Sequence, residues 1–474
     1  MPDLDLGLEG GTVVTGARRV RANVYVSEGR IAAVSAETHP ARERFDAAGL
    51  LVMPGMVDAH VHLMDPADTS REDFPSGTAA AARAGVTCVV EHSHGAPVRT
   101  AGDLRDKAAH LRGRARVDFA LAAHAWPGHA ADAVGAWRAG AAFLKAFTCT
   151  THGVPGHDPA RLWDLLRAAA GAGATCLVHC EEETLTAAAE SRLRAAGRSD
   201  GGVVPEWRSR EAEEVAAATA GTLTRRSGAR AVLAHASHPE VIDLAGGMVV
   251  ETCPQYLALL EDDVVTHGAL RKFTPPARAR TPADLDAMWA ALAGGRVDYV
   301  SSDHAPSTLE QKAEGSIWDV HFGLPGVDTT FSVLLDGAAA GRLTYERVVA
   351  VYSEAPARIY GLAGKGRLAR GADADLVLVD PDERWEVRHS DILSKAGWSP
   401  FAGRTLRGRA VQTYVRGRLV AADGEVVAEP GFGRLLPGPG RSWRALPLEG
   451  QGSGWGHLRG GGNGDQLTAQ EDQG

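Results

Sequence analysis

The sequence predicts an α/β protein: a (β/α)8 TIM-type barrel with a small β-sandwich domain formed from both chain ends. Two observations carry this. Through the middle of the chain, eight short apolar runs alternate with stretches of helical period, and runs so continuously apolar cannot have one face in water. Short β-type runs with glycine turns precede the first of these and return after the last, so the two ends can supply one accessory domain.

Residues 1–53 alternate β-type runs (Gly11–Thr15, Ala22–Val26, Arg30–Val34) with punctuation such as Glu28-Gly29, which reads as a small antiparallel sheet and the first part of the sandwich. Residues 54–363 form the barrel. Its strand runs are Met56–His62, Thr87–His92, Val117–Ala125, Ala141–Phe147, Thr175–Cys180, Ala229–His235, Gly247–Cys253 and Val297–Asp303. Helical stretches between them include Asp73–Ala84, Leu104–Leu111, Pro159–Ala170, Glu211–Thr224 and Ala283–Ala293, with a last helix at Tyr345–Tyr360. Residues 364–430 return to strands (Gly371–Val379, Ala410–Val415, Arg418–Ala421) and form the second part of the sandwich. Residues 431–474 are rich in Gly, Pro and Gln and are expected to be a disordered tail.

Composition narrows the function. The 474 residues carry a formal net charge of −9, with basic residues scattered rather than collected into a tract, which argues against nucleic acid and for a small-molecule substrate. No segment approaches the roughly 18 apolar residues of a membrane span, and Met1-Pro-Asp-Leu-Asp5 is no signal sequence, so a cytoplasmic protein without a membrane partner is expected. The five cysteines include no Cys-x-x-Cys, and four sit in or beside apolar runs, so structural disulfides are not expected.

Barrels of this kind carry their chemistry at the carboxyl ends of the strands. His60 and His62 close the first run, and residues i and i+2 of a strand share a face, so both can reach one ion. Lys145 lies near the end of the fourth run, His179 closes the fifth, His235 the sixth and Asp303 the eighth. Any one of these is weak evidence; their convergence on one mouth is strong, because Zn²⁺ takes imidazole nitrogen and carboxylate oxygen at about 2.0–2.2 Å. Lys145 needs its own explanation, since an ammonium cannot bind a cation. Three readings stand: a carbamate formed with CO₂ that bridges two metals, a Schiff-base lysine, or a salt bridge. The histidines favour the carbamate, because Schiff-base chemistry has no use for them.

At this point the chain resembles the cyclic amidohydrolases of the amidohydrolase superfamily: hydantoinases (dihydropyrimidinases), allantoinases and dihydroorotases. The matching segments are Pro54–His62, Phe74–Ala82, Phe143–Phe147, Val178–Glu181, Ala234–Ser237, Glu251–Leu257, Ser302–Pro306 and Ser353–Arg358, in family order. The resemblance implies two divalent ions, zinc foremost, with His60, His62 and Asp303 on one, His179 and His235 on the other, and carbamylated Lys145 between them. It further implies that a metal-bridging hydroxide opens a cyclic amide to a carboxylate, with Asp303 as the catalytic acid/base, in a homo-oligomer (dimer or tetramer).

Specificity positions depart from the family. Met64 stands where dihydroorotases carry an arginine for the substrate carboxylate, which disfavours dihydroorotate. The stretch Ala146–His152, with Thr150, offers hydroxyls and an imidazole where hydantoinases carry a tyrosine. Thr274 stands where an asparagine often reads the substrate amide, and His304 is the next candidate base. These make an allantoinase- or hydantoinase-like ureide or imide ring the expected substrate. A dihydroorotase-like enzyme, a non-catalytic scaffold, and a mononuclear deaminase or acyclic amidohydrolase are the alternatives; retention of every ligand type argues against the scaffold, and the bridging lysine against the deaminase. Glu91-His-Ser-His94 is a second His-x-His, read as pocket lining or support for the ligands. His124, His129 and His152 read as loop residues, Trp137, Trp163 and Trp289 as packing, and Gly460–Gly464 is no phosphate loop.

Overall fold

The computed structural model describes residues 3–441. Eight parallel strands run through its centre: β1 (Met56–Val61), β2 (Val86–Glu91), β3 (Asp118–Leu121, resuming at Ala123–His124), β4 (Leu144–Phe147), β5 (Thr175–His179), β6 (Arg230–Leu233), β7 (Val249–Thr252) and β8 (Tyr299–Val300). Each pairs in parallel with the next, in two sheets that meet where β3 is interrupted at Ala122. Past β8 the chain returns to β1: Val61 and His304 form a parallel bridge, and His62 N–H donates to the His304 carbonyl at 2.7 Å.

Helices connect the strands, and their ends are written in the sequence. Asp158 accepts from Arg161 N–H at 2.7 Å and is followed by Pro159, whose missing N–H costs nothing at a helix start; Gly173 closes the same helix with φ 67°. Alanines face the strands (Ala80, Ala81 and Ala82 are fully buried), so helix and sheet approach closely. The expected last helix is broken into Tyr345–Val349, a π turn at Ala350–Glu354, and Ala355–Ile359. Pro356 has no N–H to give Tyr352, and the wider turn absorbs the lost bond. It also aims Tyr352 at Asp58 (2.9 Å) and Ser353 at the Gly55 carbonyl (2.6 Å), which ties this helix to β1.

The chain ends form two further sheets. One holds Arg30–Ser35, Asn23–Ser27, Leu6–Glu9 and Glu43–Asp46; the other joins N-terminal strands Arg19–Arg21, Thr12–Val14 and Leu51–Pro54 to Leu376–Glu386, Thr405–Val415, Arg418–Ala422 and Glu425–Val426. The first sheet is not purely antiparallel as expected. After the hairpin the chain crosses to the far edge, so Glu43–Asp46 lies parallel to Leu6–Glu9, a pairing no tight turn can make. Both sheets feed one apolar cluster that includes Leu8, Val24, Val52, Leu376 and Leu378. Residues 431–441, assigned to the tail by composition, are ordered against β3: Leu436 N–H donates to Phe119 O and Phe119 N–H to Arg434 O. Their few apolar groups matter less than this strand-like pairing; residues 442–474 of the expected tail lie outside the described residues.

Candidate metal centre

A period of two carries each strand from core to site. One apolar cluster takes Val90 from β2, Ala120 from β3, Phe143 just before β4, Leu177 from β5 and Tyr299 from β8. Two residues on, or four from Ala120 and Tyr299, the same inward face presents His92, His124, Lys145, His179 and Asp303. His60 and His235 are out of phase with this layer, and local backbone irregularities accompany both. Between Asp58 and Val61, β1 spends three residue steps against two of β2, a bulge that re-aims the side chains beyond it. His235 has φ 39°, in the left-handed region that a residue with a Cβ rarely occupies; Asp303 (50°), Met64 (56°) and His152 (52°) share it. Left-handed backbone thus gathers around this mouth.

His60, His62, Lys145, His179, His235 and Asp303 all line one cleft. His60 Nε2 and His62 Nε2 lie 3.1 and 3.4 Å from Asp303 Oδ1, and His179 Nδ1 lies 3.1 Å from His235 Nε2. Tetrahedral donors about 2.0–2.2 Å from one ion lie roughly 3–3.6 Å apart, so both groups have the spacing of shared ligands. The opposite nitrogens are held. His60 Nδ1 is 3.0 Å from Glu251 Oε2, His62 Nδ1 is 3.2 Å from the His92 carbonyl, and His179 Nε2 is 2.7 Å from Glu181 Oε2. Such contacts fix which nitrogen faces the ion. Burial keeps His60 and His235 well below the usual imidazole range, in the neutral form that binds metals.

Lys145 is fully enclosed, with Nζ unpartnered among the described residues and 5.1 Å from the Phe147 ring centroid. Burial lowers its pKa to about 8, with Glu251 and Asp303 opposing the shift. An orphaned amine, neutral imidazoles and carboxylates form a donor set that fits divalent metal once the amine becomes an acceptor. Burial alone would raise the Asp303 carboxyl, but His60 and His62 outweigh it and hold it low. Glu251 goes the other way, pushed up to about 7 by burial.

Of Met64, Thr150, Thr274 and His304, Thr274 lines the cleft, with Oγ1 donating to Glu181 Oε2 at 2.8 Å. Thr150 is exposed on the loop after β4, where its N–H meets Glu183. Met64 is buried beside the cleft with its N–H on Ser93 Oγ. His304 is turned away: Nδ1 accepts from Gly326 and Val327 N–H, and Nε2 faces Glu72 at 3.3 Å. Its ring is committed to structure because the bridge to β1 fixes the backbone here. His94 and His152 do enter the cleft, stacked at 4.4 Å, so His152 is more than a loop residue. Sequence reasoning gave Glu251 and Glu181 no role, although Glu181 stands two residues after His179 and Glu251 two after Val249, the inward phase. Arg208 and Arg278, which clamp Glu181 at 2.7 and 2.6 Å, come from distant loops and left no local signal.

The amidohydrolase family model matches residues 51–420. An allantoinase of Rubrobacter xylanophilus is 37% identical over 91% of this chain and 97% of its own, and a dihydroorotase of Halobacterium salinarum is 35% identical over 86% and 98%. The solved L-hydantoinase (dihydropyrimidinase) of Arthrobacter aurescens superposes with a TM-score of 0.87 at 31% identity, covering 92% of this chain and all of that one. With matched segments, fold and donor geometry in agreement, the chain belongs to the amidohydrolase family.

Proposed function

We propose that this protein is a binuclear metal-dependent hydrolase that opens a neutral cyclic ureide or imide to a carboxylate. The observation that carries it is the convergence of His60, His62, Lys145, His179, His235 and Asp303 on one cleft. In this reading the eight strands close into a barrel over residues 54–363, supported by the Val61–His304 bridge, and the two end sheets pack as a sandwich from residues 1–53 and 364–430, supported by their shared apolar cluster. His60, His62 and Asp303 would hold one ion, and His179 and His235 the other. Lys145, neutral more readily than an ordinary lysine, would add CO₂ through Nζ with release of a proton, and its carbamate would supply oxygen donors to the metal site.

The metal pair, when bound, lowers the pKa of water and polarises the amide carbonyl. Asp303 takes the proton from the attacking water as the new C–O bond forms, and returns it to the ring nitrogen as the C–N bond breaks. Glu251 and Glu181 hold His60 and His179 so that the correct nitrogens face inward. Thr274 Oγ1, whose proton goes to Glu181, keeps lone pairs for a ring N–H of the substrate. Phe322 and Gly323 line the cleft beside His152 and exclude water from the ring. Among the described residues the lining contains no arginine, and burying an unpaired carboxylate costs several kcal/mol. Turnover of hydantoin, dihydrouracil, allantoin, succinimide and dihydroorotate by zinc-loaded protein tests this. At least one neutral ring should be opened, with dihydroorotate at least about a hundredfold slower; no turnover of any neutral ring overturns the reading.

A further inference from the structure

His92 comes directly after β2 and faces inward in the phase of Val90, beneath the cleft and not among the residues that line it. It is 1% exposed, and neither ring nitrogen has a hydrogen-bond partner among the described residues. Its ring centroid lies 4.5 Å from His60 and 4.5 Å from His62. His60, His62 and His92 each bring a ring nitrogen within 4.8 Å of the other two.

A buried donor or acceptor left unsatisfied costs about 1–3 kcal/mol, so a fully enclosed imidazole with both nitrogens bare needs a reason. His304 shows the contrast, since it is as deeply buried but bonded at both nitrogens. Apolar packing would be served better by leucine. Substrate reading is excluded by position, because the ring does not reach the open cleft. What does lie within reach is the pair of histidines assigned to the first ion, and three neutral imidazoles are a donor set that zinc accepts.

We propose that His92 is a further metal ligand, completing with His60 and His62 a three-histidine site that keeps one divalent ion when Lys145 carries no carbamate. This rests on the metal-dependent reading above and deepens it. The two positions then differ in kind. The ion at His60, His62 and His92 would have three histidine donors from β1 and the end of β2 and would be independent of CO₂; the ion at His179 and His235 would depend on the carbamate.

The test is zinc content after dialysis against Zn²⁺, with the visible absorption of Co²⁺-loaded protein as a second readout. Lys145→Ala should keep about one ion per chain, and Lys145→Ala/His92→Leu close to none. In the parent background, His92→Leu should weaken the tighter site by about 10–100-fold and alter the Co²⁺ bands. His92→Gln, checked for a parental unfolding midpoint in chelator, should show the same loss and guards against misfolding. Equal zinc in the single and double Lys145 variants, or unchanged Co²⁺ bands without His92, overturns the proposal alone. No zinc in the parent protein overturns the metal reading itself.

Discussion

Single side chains at the cleft make separable predictions. In the proposed reading Lys145 serves both ion positions, so Lys145→Ala should lower activity by at least about a thousandfold, and a short carboxylic acid in the medium should restore part of it by standing in for the carbamate. Full activity in the alanine variant would mean that the lysine is structural. Asp303→Asn keeps the shape but not the proton acceptor, and general acid–base help is typically worth about 10²–10⁴ in rate. A rate within tenfold of the parent would move the base elsewhere, and His304 is not available, because both its nitrogens are bonded. Glu251→Gln can still accept from the His235 N–H but loses its charge beside His60; metal affinity should drop by about 10–100-fold, read by chelator competition.

Elements hold these side chains in place, and the loop after β4 shows how little freedom they have. It carries His152 into the cleft through the Thr151–Val154 bridge and returns at Gly156, whose added Cβ would stand 2.6 Å from the Cys149 carbonyl carbon and 2.7 Å from its Cα. Backbone cannot yield as a side chain tip does. Gly156→Ala should therefore cost about 1–3 kcal/mol and displace His152, raising KM more than it lowers kcat. Unchanged stability and kinetics would show that the loop adapts freely. The same limit explains why His60 and His235 needed a bulge and a left-handed residue: a regular strand places alternate residues inward, and these two fall on the wrong beat.

Across the whole molecule, a buried ionic cluster joins the central strands to the end sheets. Lys365 Nζ lies 2.6 Å from Asp118 of β3 and 2.8 Å from Asp375, and Arg416 also meets Asp118. Burial opposes the Asp118 charge, but Lys365 and Arg416 outweigh it and hold its pKa below the ordinary value; Asp375 is raised by burial, with Lys365 opposing. A depressed carboxyl contributes stability that is present above its unfolded pKa of about 3.9 and is lost as pH falls through the lower folded value. The raised Asp375 has the opposite sign: its cost of ionising while buried is present above its folded pKa and is relieved as pH falls, which offsets part of this. Lys365→Met leaves these carboxylates buried without their amine and should cost about 3–5 kcal/mol at neutral pH, with the loss shrinking in acid. Thermal unfolding from pH 3 to 7 checks it; a pH-independent loss would point to packing instead. Residues 431–441 add a second tie, so a chain ended after Pro430 should unfold at a lower temperature than one ended after Arg441.

The sequence by itself determined the strand and helix order, the return of strands at both chain ends, and the six ligand candidates that line the cleft. These are local facts: apolar runs of strand length, proline and glycine at helix ends, and chemically costly residues at the ends of successive runs. The extra phase of β1, the break at Pro356 and the parallel crossover in the first end sheet were decided by packing against residues far along the chain. So were the placements of Glu251, Glu181, Arg208, Arg278 and His92. Each depends on which distant atom stands within about 3 Å, or on none standing there, and only the assembled fold sets that distance.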